Sequence, residues 1–86
     1  MTRYTVVWGD SALDDLMRFW MKTVHKQAIT DASNMVDEQL AVDASTKGEL
    51  LSEGLRALTA GLLRVYYVVH EDDRIVEITY ARRIVR

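Results

Sequence analysis

"LLRVYYVVHEDDRIVEITYARRIVR", residues 62–86, decides the fold class, because two runs rich in β-branched and aromatic residues flank a short acidic turn. Side chains alternate between the two faces of a strand, and the first run divides cleanly on that basis. One set is wholly apolar or aromatic: Leu63, Val65, Tyr67 and Val69. The other set contains Arg64, Tyr66, Val68 and His70. An unpaired guanidinium is unfavourable in a core, so we expect Arg64 on a face that is open to water or binds an anion.

The second run, 75–85, has the same alternation but does not keep it to its end. Val76 and Ile78 suit the core-facing side. Strict alternation would then turn Arg82 inward and Arg83 outward, which is unfavourable for Arg82. We therefore expect that the strand either bulges near Tyr80 or leaves the sheet there. The sequence leaves open which of the two arginines lies on the open face.

Positive charge is concentrated in the C-terminal part of the chain, although the net charge is −2. Residues 1–53 contain five lysines and arginines against nine acidic residues, whereas residues 54–86 contain six arginines against four acids. Arginine's planar fork suits phosphate or carboxylate, so this asymmetry indicates an anionic partner. Solvated arginines on an open sheet are the alternative interpretation. We expect Arg56, in the preceding strand, to lie on the same face as Arg64.

The rest of the chain predicts one strand and two helices before the sheet continues. Gly9, Asp10 and Ser11 end the first strand and begin a helix. The apolar spacing changes phase near 25–28, which indicates two helices, although one long bent helix is an alternative. The predicted elements are a strand over 3–8, helices over 11–25 and 28–42, a polar connector over 43–53, and strands over 54–61, 62–70 and 75–85. This β-α-α-β-β-β order predicts an α+β domain with a helical hairpin packed on one face of a four-stranded, mostly antiparallel sheet.

The first helix carries an apolar stripe that we expect to face the core. Its members are Leu13, Leu16, Met17, Trp20, Met21 and Val24. Phe19 lies off that stripe, so we place it with Trp8 and Met35 as a candidate for an exposed apolar patch against a partner helix. In the second helix, Val36 and Leu40 are expected to pack with the apolar face of the sheet.

Length and composition exclude several classes of protein. Eighty-six residues predict a single domain, 1–86, and 49% hydrophobic residues can form its core. The absence of cysteine excludes disulfides and thiolate metal sites, and the two histidines, His25 and His70, lack ligand spacing. We therefore expect no metal and no cofactor. The N-terminal residues do not resemble a signal peptide and no apolar run approaches ~20 residues, which predicts a cytoplasmic protein without a membrane span.

The run "DASTKGELLSEGLRALTAGLLRVYYVV" followed by "RIVEITYARRIV" resembles the RelE/ParE superfamily of toxins from bacterial type II toxin–antitoxin systems. Members of this superfamily have a connector similar to residues 46–58, a strand similar to 61–69, a polar turn and a final strand ending in arginine. The predicted element order is also that of the superfamily, and the resemblance covers nearly the whole chain.

The resemblance implies two activities. RelE-type members cleave mRNA on the ribosome with basic residues, and often a tyrosine, on the open face of the sheet. It implies that Arg64 holds the scissile phosphate, that Arg83 or Arg82 is the basic residue of the last strand, and that Arg56 is the basic residue of the preceding strand. Tyr66 is expected to stack on a base or donate a proton. No metal takes part.

ParE-type members share the fold, lack that set of residues and inhibit DNA gyrase. The lysines that nucleases carry are replaced here by Leu55, Ala57 and Leu58, which keeps the gyrase alternative open. A related binding domain without toxicity is a further alternative. His70 is the histidine of the open face, and a surface position without chemistry is the expectation for it and for His25. Both activities imply a cognate antitoxin that covers the arginine face, the helices or both.

Overall fold

A computed structural model shows two helices packed on one face of a five-stranded sheet, and it describes residues 1–84. The elements are β1 (Thr5–Trp8), α1 (Asp10–Lys22), α2 (Lys26–Leu40), a 3₁₀ turn (Ala44–Thr46), β2 (Glu49–Ser52), β3 (Leu55–Ala60), β4 (Leu63–His70) and β5 (Ile75–Arg83). The strand order across the sheet is β1-β5-β4-β3-β2. Only the β1–β5 pair is parallel among these residues; the other three pairs are antiparallel. The predicted α+β class is confirmed, and residue 85 of the predicted last strand lies outside the described residues.

The prediction of four strands is wrong, because the segment expected to be a polar connector contains β2. Gly48 and Gly54 flank this strand with φ values of 69° and 79°, which glycine adopts without steric cost. At Gly48 a Cβ atom would lie only 2.2 Å from the carbonyl oxygen of Ala57, so glycine also permits the close approach to β3. The turn at Gly54 then pairs β2 with β3 as the outer edge of the sheet.

The core lies between the helices and the apolar face of the sheet, as the alternation of β4 predicts. Val65 and Tyr67 of β4 and Val76 and Ile78 of β5 are fully buried, together with Val36 and Leu40 of α2. Tyr67 also satisfies its hydroxyl there: the oxygen lies 2.7 Å from the carbonyl oxygen of Lys47 and 3.1 Å from that of Ala44. Because this hydroxyl is removed from water, burial raises the pKa of Tyr67.

Two separate helices are present, and the alternative of one long bent helix is wrong. α1 ends at Thr23, whose backbone is extended, with φ −93° and ψ 150°. The Lys26 ammonium group donates hydrogen bonds to the carbonyl oxygens of Trp20 (2.8 Å) and Thr23 (3.1 Å). A side-chain donor thus satisfies carbonyls that the end of the helix leaves unpaired.

The prediction that the apolar stripe of α1 faces the core is wrong for most of its members. The side that packs inward consists of Ala12, Leu16, Phe19 and Thr23, at spacings of four, three and four residues. Ala12 and Thr23 are buried, whereas Leu16 and Phe19 are half-buried against the core. Phe19 is therefore a packing residue and not the exposed contact that was expected. The other stripe residues are exposed: Leu13, Met17, Trp20, Met21 and Val24.

A bulge in β5 decides which C-terminal arginine faces outward. Tyr67 of β4 pairs with Ile78, but its neighbour Tyr66 pairs with Tyr80, so Thr79 is the extra residue. After the bulge the alternation is reversed, and Arg82 lies opposite Arg64. Of the two outcomes expected from sequence, the bulge is the one that occurs.

Candidate functional site: the arginine–tyrosine face

The open side of the sheet brings Arg64, Tyr66, Tyr80 and Arg82 together, and we call these four residues the arginine–tyrosine face. Arg64 and Tyr66 alternate with the buried residues of β4, and the bulge places their β5 partners on the same side. Arg64 is directly opposite Arg82, and Tyr66 is directly opposite Tyr80. Like charges opposite each other on a sheet are unfavourable unless an anion lies between them or nearby. The two arginines therefore form a place where a phosphate group would relieve repulsion.

The two tyrosines are stacked. Their ring centroids are 4.3 Å apart and the rings are inclined by 16°. The guanidinium of Arg64 lies 5.6 Å from the centroid of the Tyr66 ring, within the range of a cation–π contact. Tyr80 is 44% exposed, so part of the pair is accessible from solvent. Such a pair offers a rigid aromatic surface on which an unpaired base can stack.

Besides the Tyr66 ring, two side chains contact the Arg64 guanidinium, and sequence reasoning missed both of them. One guanidinium nitrogen donates to the Thr59 hydroxyl at 3.1 Å, and another lies 3.4 Å from Oε2 of Glu49. Glu49 belongs to β2, the strand that was interpreted as a connector, and Thr59 lies opposite Arg64 in β3. Once β2 is known to pair with β3, a carboxylate on the edge strand is the signal that identifies Glu49.

Arg56 does not lie on this face, and the prediction that it joins Arg64 is wrong. The register pairs Arg56 with Tyr67, whose side chain faces the helices, so Arg56 shares that side of the sheet. Its Nε donates a hydrogen bond of 2.8 Å to the carbonyl oxygen of Lys47. The face of Arg56 is set by the register that pairs Ala60 with Leu63 across the turn, and a register different by one residue would move its side chain to the opposite face.

Arg83 also faces the helix side, since it pairs with the buried Leu63. Its Nε atom is buried without a hydrogen-bond partner among the described residues. Of the two C-terminal arginines, only Arg82 therefore joins Arg64, which answers the question that the sequence left open.

The bulge is supported from the helix side by Asp15 of α1. Beyond Trp8 the first strand no longer covers that edge of β5, and Oδ2 of Asp15 accepts a hydrogen bond from the backbone N–H of Ala81 at 3.2 Å. Ala81 directly precedes Arg82, so this contact helps to fix the backbone that presents Arg82 to the open side.

The two histidines lie away from the arginines. His70, at the end of β4, has its Nε2 3.1 Å from Oε1 of Glu77, and both side chains are about half exposed. It is separated from Arg64 by six positions along the strand. His25 is exposed at the start of α2, in agreement with its interpretation as a helix-end residue.

Within residues 1–84, no group of three or more histidine and acidic side chains is placed to bind a metal ion. None of the helices there combines the length and the apolar character needed to cross a membrane.

Comparison with solved structures identifies the fold. A chain of the toxin–antitoxin complex RelBE2 from Mycobacterium tuberculosis superposes with a TM-score of 0.79 and 19% sequence identity, over 96% of this chain and 93% of that one. The protein has the fold of the RelE/ParE toxins. A chain of the chromosomal ParDE system of P. aeruginosa is also similar, with a TM-score of 0.68 and 18% identity, over 99% of this chain and 100% of that one. No family model and no curated protein sequence matches the chain. The resemblance noted in the sequence is thus confirmed at the level of the RelE/ParE fold.

Proposed function

We propose that this protein is the toxin of a type II toxin–antitoxin pair and that it cleaves RNA at the arginine–tyrosine face. The observation that carries the proposal is the pairing of Arg64 with Arg82 beside the stacked tyrosines on an otherwise open sheet. The fold shared with chains of RelBE2 and ParDE supports the toxin role. The cytoplasm is the compartment in which such an activity would meet its substrate.

The chemistry that fits these groups is attack of a ribose 2′-hydroxyl on the adjacent phosphorus. Arg64 and Arg82 would bind the phosphate oxygens and stabilise the negative charge that develops on them. Glu49 would take the proton from the 2′-hydroxyl, since its carboxylate already lies 3.4 Å from the Arg64 guanidinium. The bond from phosphorus to the 5′ oxygen breaks, and that oxygen takes a proton from water. The products are a 2′,3′-cyclic phosphate and a 5′-hydroxyl end, and no metal is required.

The stacked tyrosines would hold a base next to the reacting phosphate. Tyr66 covers one face of the Tyr80 ring. An RNA base that is unstacked from its neighbours can therefore pack on the other, accessible face of Tyr80. This contact tolerates different bases, so we expect modest sequence preference from the protein itself. Messenger RNA on the ribosome is the substrate that we propose.

The antitoxin is expected to place an acidic segment over the arginine–tyrosine face. Two arginines directly opposite each other attract carboxylates as well as phosphates. Bound acidic side chains would exclude RNA and neutralise the toxin. An excess of this segment, added as a synthetic peptide, should therefore compete with RNA for the purified protein.

The experiment that tests the proposed activity compares growth arrest and RNA cleavage in wild-type protein and in Arg64→Ala, Arg82→Ala and Arg3→Ala. Arg3 is an exposed arginine that precedes β1 and serves as the matched control. We expect both face variants to lose cleavage, with and without translating ribosomes, and the Arg3 variant to retain it. Arg64→Lys should recover activity only in part, because a point charge cannot replace a bidentate fork.

A second candidate function is inhibition of DNA gyrase, as in ParE-type toxins. The likeness to a chain of a ParDE system favours it, and so does the position of Arg56 on the helix side, which leaves the open face with fewer cations than was expected. Induced expression separates the two functions: loss of mRNA supports cleavage, whereas a DNA-damage response with intact mRNA supports gyrase inhibition. Normal growth with abundant folded protein would contradict both and would leave a binding domain without toxicity.

A further inference from the structure

The open side of the sheet is cationic at one end and acidic at the other. Arg64 and Arg82 lie opposite each other at the cationic end. Four positions further along β4, Val68 pairs with Glu77, which pairs in turn with Val7 of β1, so Glu77 lies on the same side of the sheet as Arg64. At about 3.3 Å per residue, the two ends are about 13 Å apart along the strand. A partner that covers the whole open side therefore meets both signs of charge.

The acidic end contains a pocket of about 330 Å³, which we call the acidic pocket. It is lined by Val7, His70, Asp73, Ile75 and Glu77. Val7 and Ile75 supply apolar surface, whereas Asp73 and Glu77 supply negative charge at neutral pH. Lysine and arginine side chains combine an apolar stem with a charged head group. The lining of the acidic pocket thus suits a basic side chain of a partner.

No lysine or arginine within residues 1–84 forms an ion pair with the two carboxylates of the acidic pocket. The contact of Glu77 is with His70, whose Nε2 lies 3.1 Å from Oε1, and this leaves Oε2 able to accept a hydrogen bond from a partner. Arg74 is the nearest basic residue in the sequence, but its guanidinium lies 3.4 Å from Glu71 and 5.9 Å from the centroid of the Tyr4 ring, which belongs to the core. The acidic pocket therefore keeps its attraction for a cation.

The surface between the two ends is aromatic and apolar, and it fits a helix. Tyr80, stacked on Tyr66, is 44% exposed, and Val68 is half-buried beside the pair. A segment that lies on the face of a sheet cannot pair its backbone with the strands, whereas a helix satisfies its own backbone groups. Residues seven or eight apart in a helix lie on one side of it and are about 10–12 Å apart. One helix can therefore place a side chain at each end of the open side.

We propose that the antitoxin covers the open side of the sheet with a helix of mixed charge. Its carboxylates contact Arg64 and Arg82, an apolar side chain packs on Tyr80, and a lysine or arginine two turns away enters the acidic pocket. This inference rests on the proposed antitoxin and adds the requirement for the basic side chain. A segment that is acidic along its whole length would bring like charges together at Asp73 and Glu77, which is unfavourable.

Two synthetic helical peptides test this requirement in NMR titrations of the isotopically labelled full chain. Both are alanine-based and about 16 residues, or four turns, long, with two glutamates in one turn and a leucine one turn later. The dipolar peptide has a lysine two turns after the glutamates, and the acidic peptide has a glutamate in its place. We expect the dipolar peptide to bind about threefold or more tightly although it is less negative, and to shift amide signals of β4 and β5. Equal or tighter binding of the acidic peptide, or binding of neither peptide at millimolar concentration, would overturn the inference.

Charge reversal in the protein identifies the group that is responsible. Glu77→Lys should remove the preference for the dipolar peptide or reverse it, because the acidic pocket then carries a cation. Glu38→Lys, at an exposed position of α2, makes the same change in net charge and should keep the preference. Circular dichroism shows whether both variants are folded. A folded Glu77→Lys variant with the wild-type preference would overturn the inference. These titrations involve no RNA, so a chain that prefers the dipolar peptide but cleaves no RNA would contradict the proposed reaction alone.

Discussion

Glu49→Gln is the substitution that best separates binding from catalysis at the arginine–tyrosine face. The Glu49 carboxylate competes with phosphate for Arg64 and, in the proposed reaction, also accepts the 2′-hydroxyl proton. Glutamine keeps the shape of the side chain but removes its charge and most of its basicity. We therefore expect RNA affinity to rise and the cleavage rate to fall.

The size of each effect follows from the contact. Oε2 of Glu49 is 3.4 Å from the Arg64 guanidinium, and the two side chains are 67% and 23% exposed. Exposed pairs of this kind contribute about 0–1 kcal/mol, so the free energy of unfolding should hardly change. Release of Arg64 should raise RNA affinity by about fivefold at most, which is the same free energy expressed as a binding constant. Loss of the general base should lower the cleavage rate by about 10²–10⁴-fold.

Two measurements on one preparation distinguish these effects. Fluorescence anisotropy gives the affinity for an RNA with a 2′-deoxy residue at the cleaved position, which binds but does not react. Single-turnover cleavage of the matching RNA, with and without translating ribosomes, gives the rate. Glu53→Gln is the control, because Glu53 is an exposed acid in the turn after β2. Weaker RNA binding by Glu49→Gln would refute the competition, and cleavage at the wild-type rate would refute its role as base.

Three further predictions concern stability. Val65→Ala should lower the free energy of unfolding by roughly 1–3 kcal/mol in urea titrations, since Val65 is fully buried; an unchanged value would contradict the core. Burial raises the pKa of Tyr67, so the folded state holds the hydroxyl proton more tightly than the unfolded state does. The resulting contribution to the free energy of unfolding is complete below about pH 10 and is lost as the pH rises through the raised pKa. Tyr67→Phe should be about 0.5–1.5 kcal/mol less stable at neutral pH, and its stability should decline less above pH 10 than that of the wild type. Asp15→Ala leaves the Ala81 N–H unpaired, which should lower the free energy of unfolding by about 1–3 kcal/mol. The same change should weaken RNA binding. Loss of stability alone would show that Asp15 does not position the site.

The sequence by itself determined the α+β class, the element order apart from β2, and the side of the sheet on which Arg64 and Tyr66 lie. These follow from local rules. Alternation in 63–70 places Val65 and Tyr67 on one face whatever the strand pairs with, because the pleat has a period of two residues. The RelE/ParE resemblance depended on the same segment.

Only the tertiary structure decided the features that depend on a partner segment. The side of α1 with Ala12 and Phe19 and the side with Leu13 and Met17 have the same helical spacing, displaced by one residue. The second side is more apolar, but it is exposed because the first side meets β5. Arg82 rather than Arg83 faces outward because Thr79 bulges from the pairing with β4. Glu49 joins the candidate site because β2 pairs with β3. Register, helix rotation and the outcome at the bulge are set by contacts between distant segments; local alternation indicated that β5 does not stay regular to its end, but not which arginine faces outward.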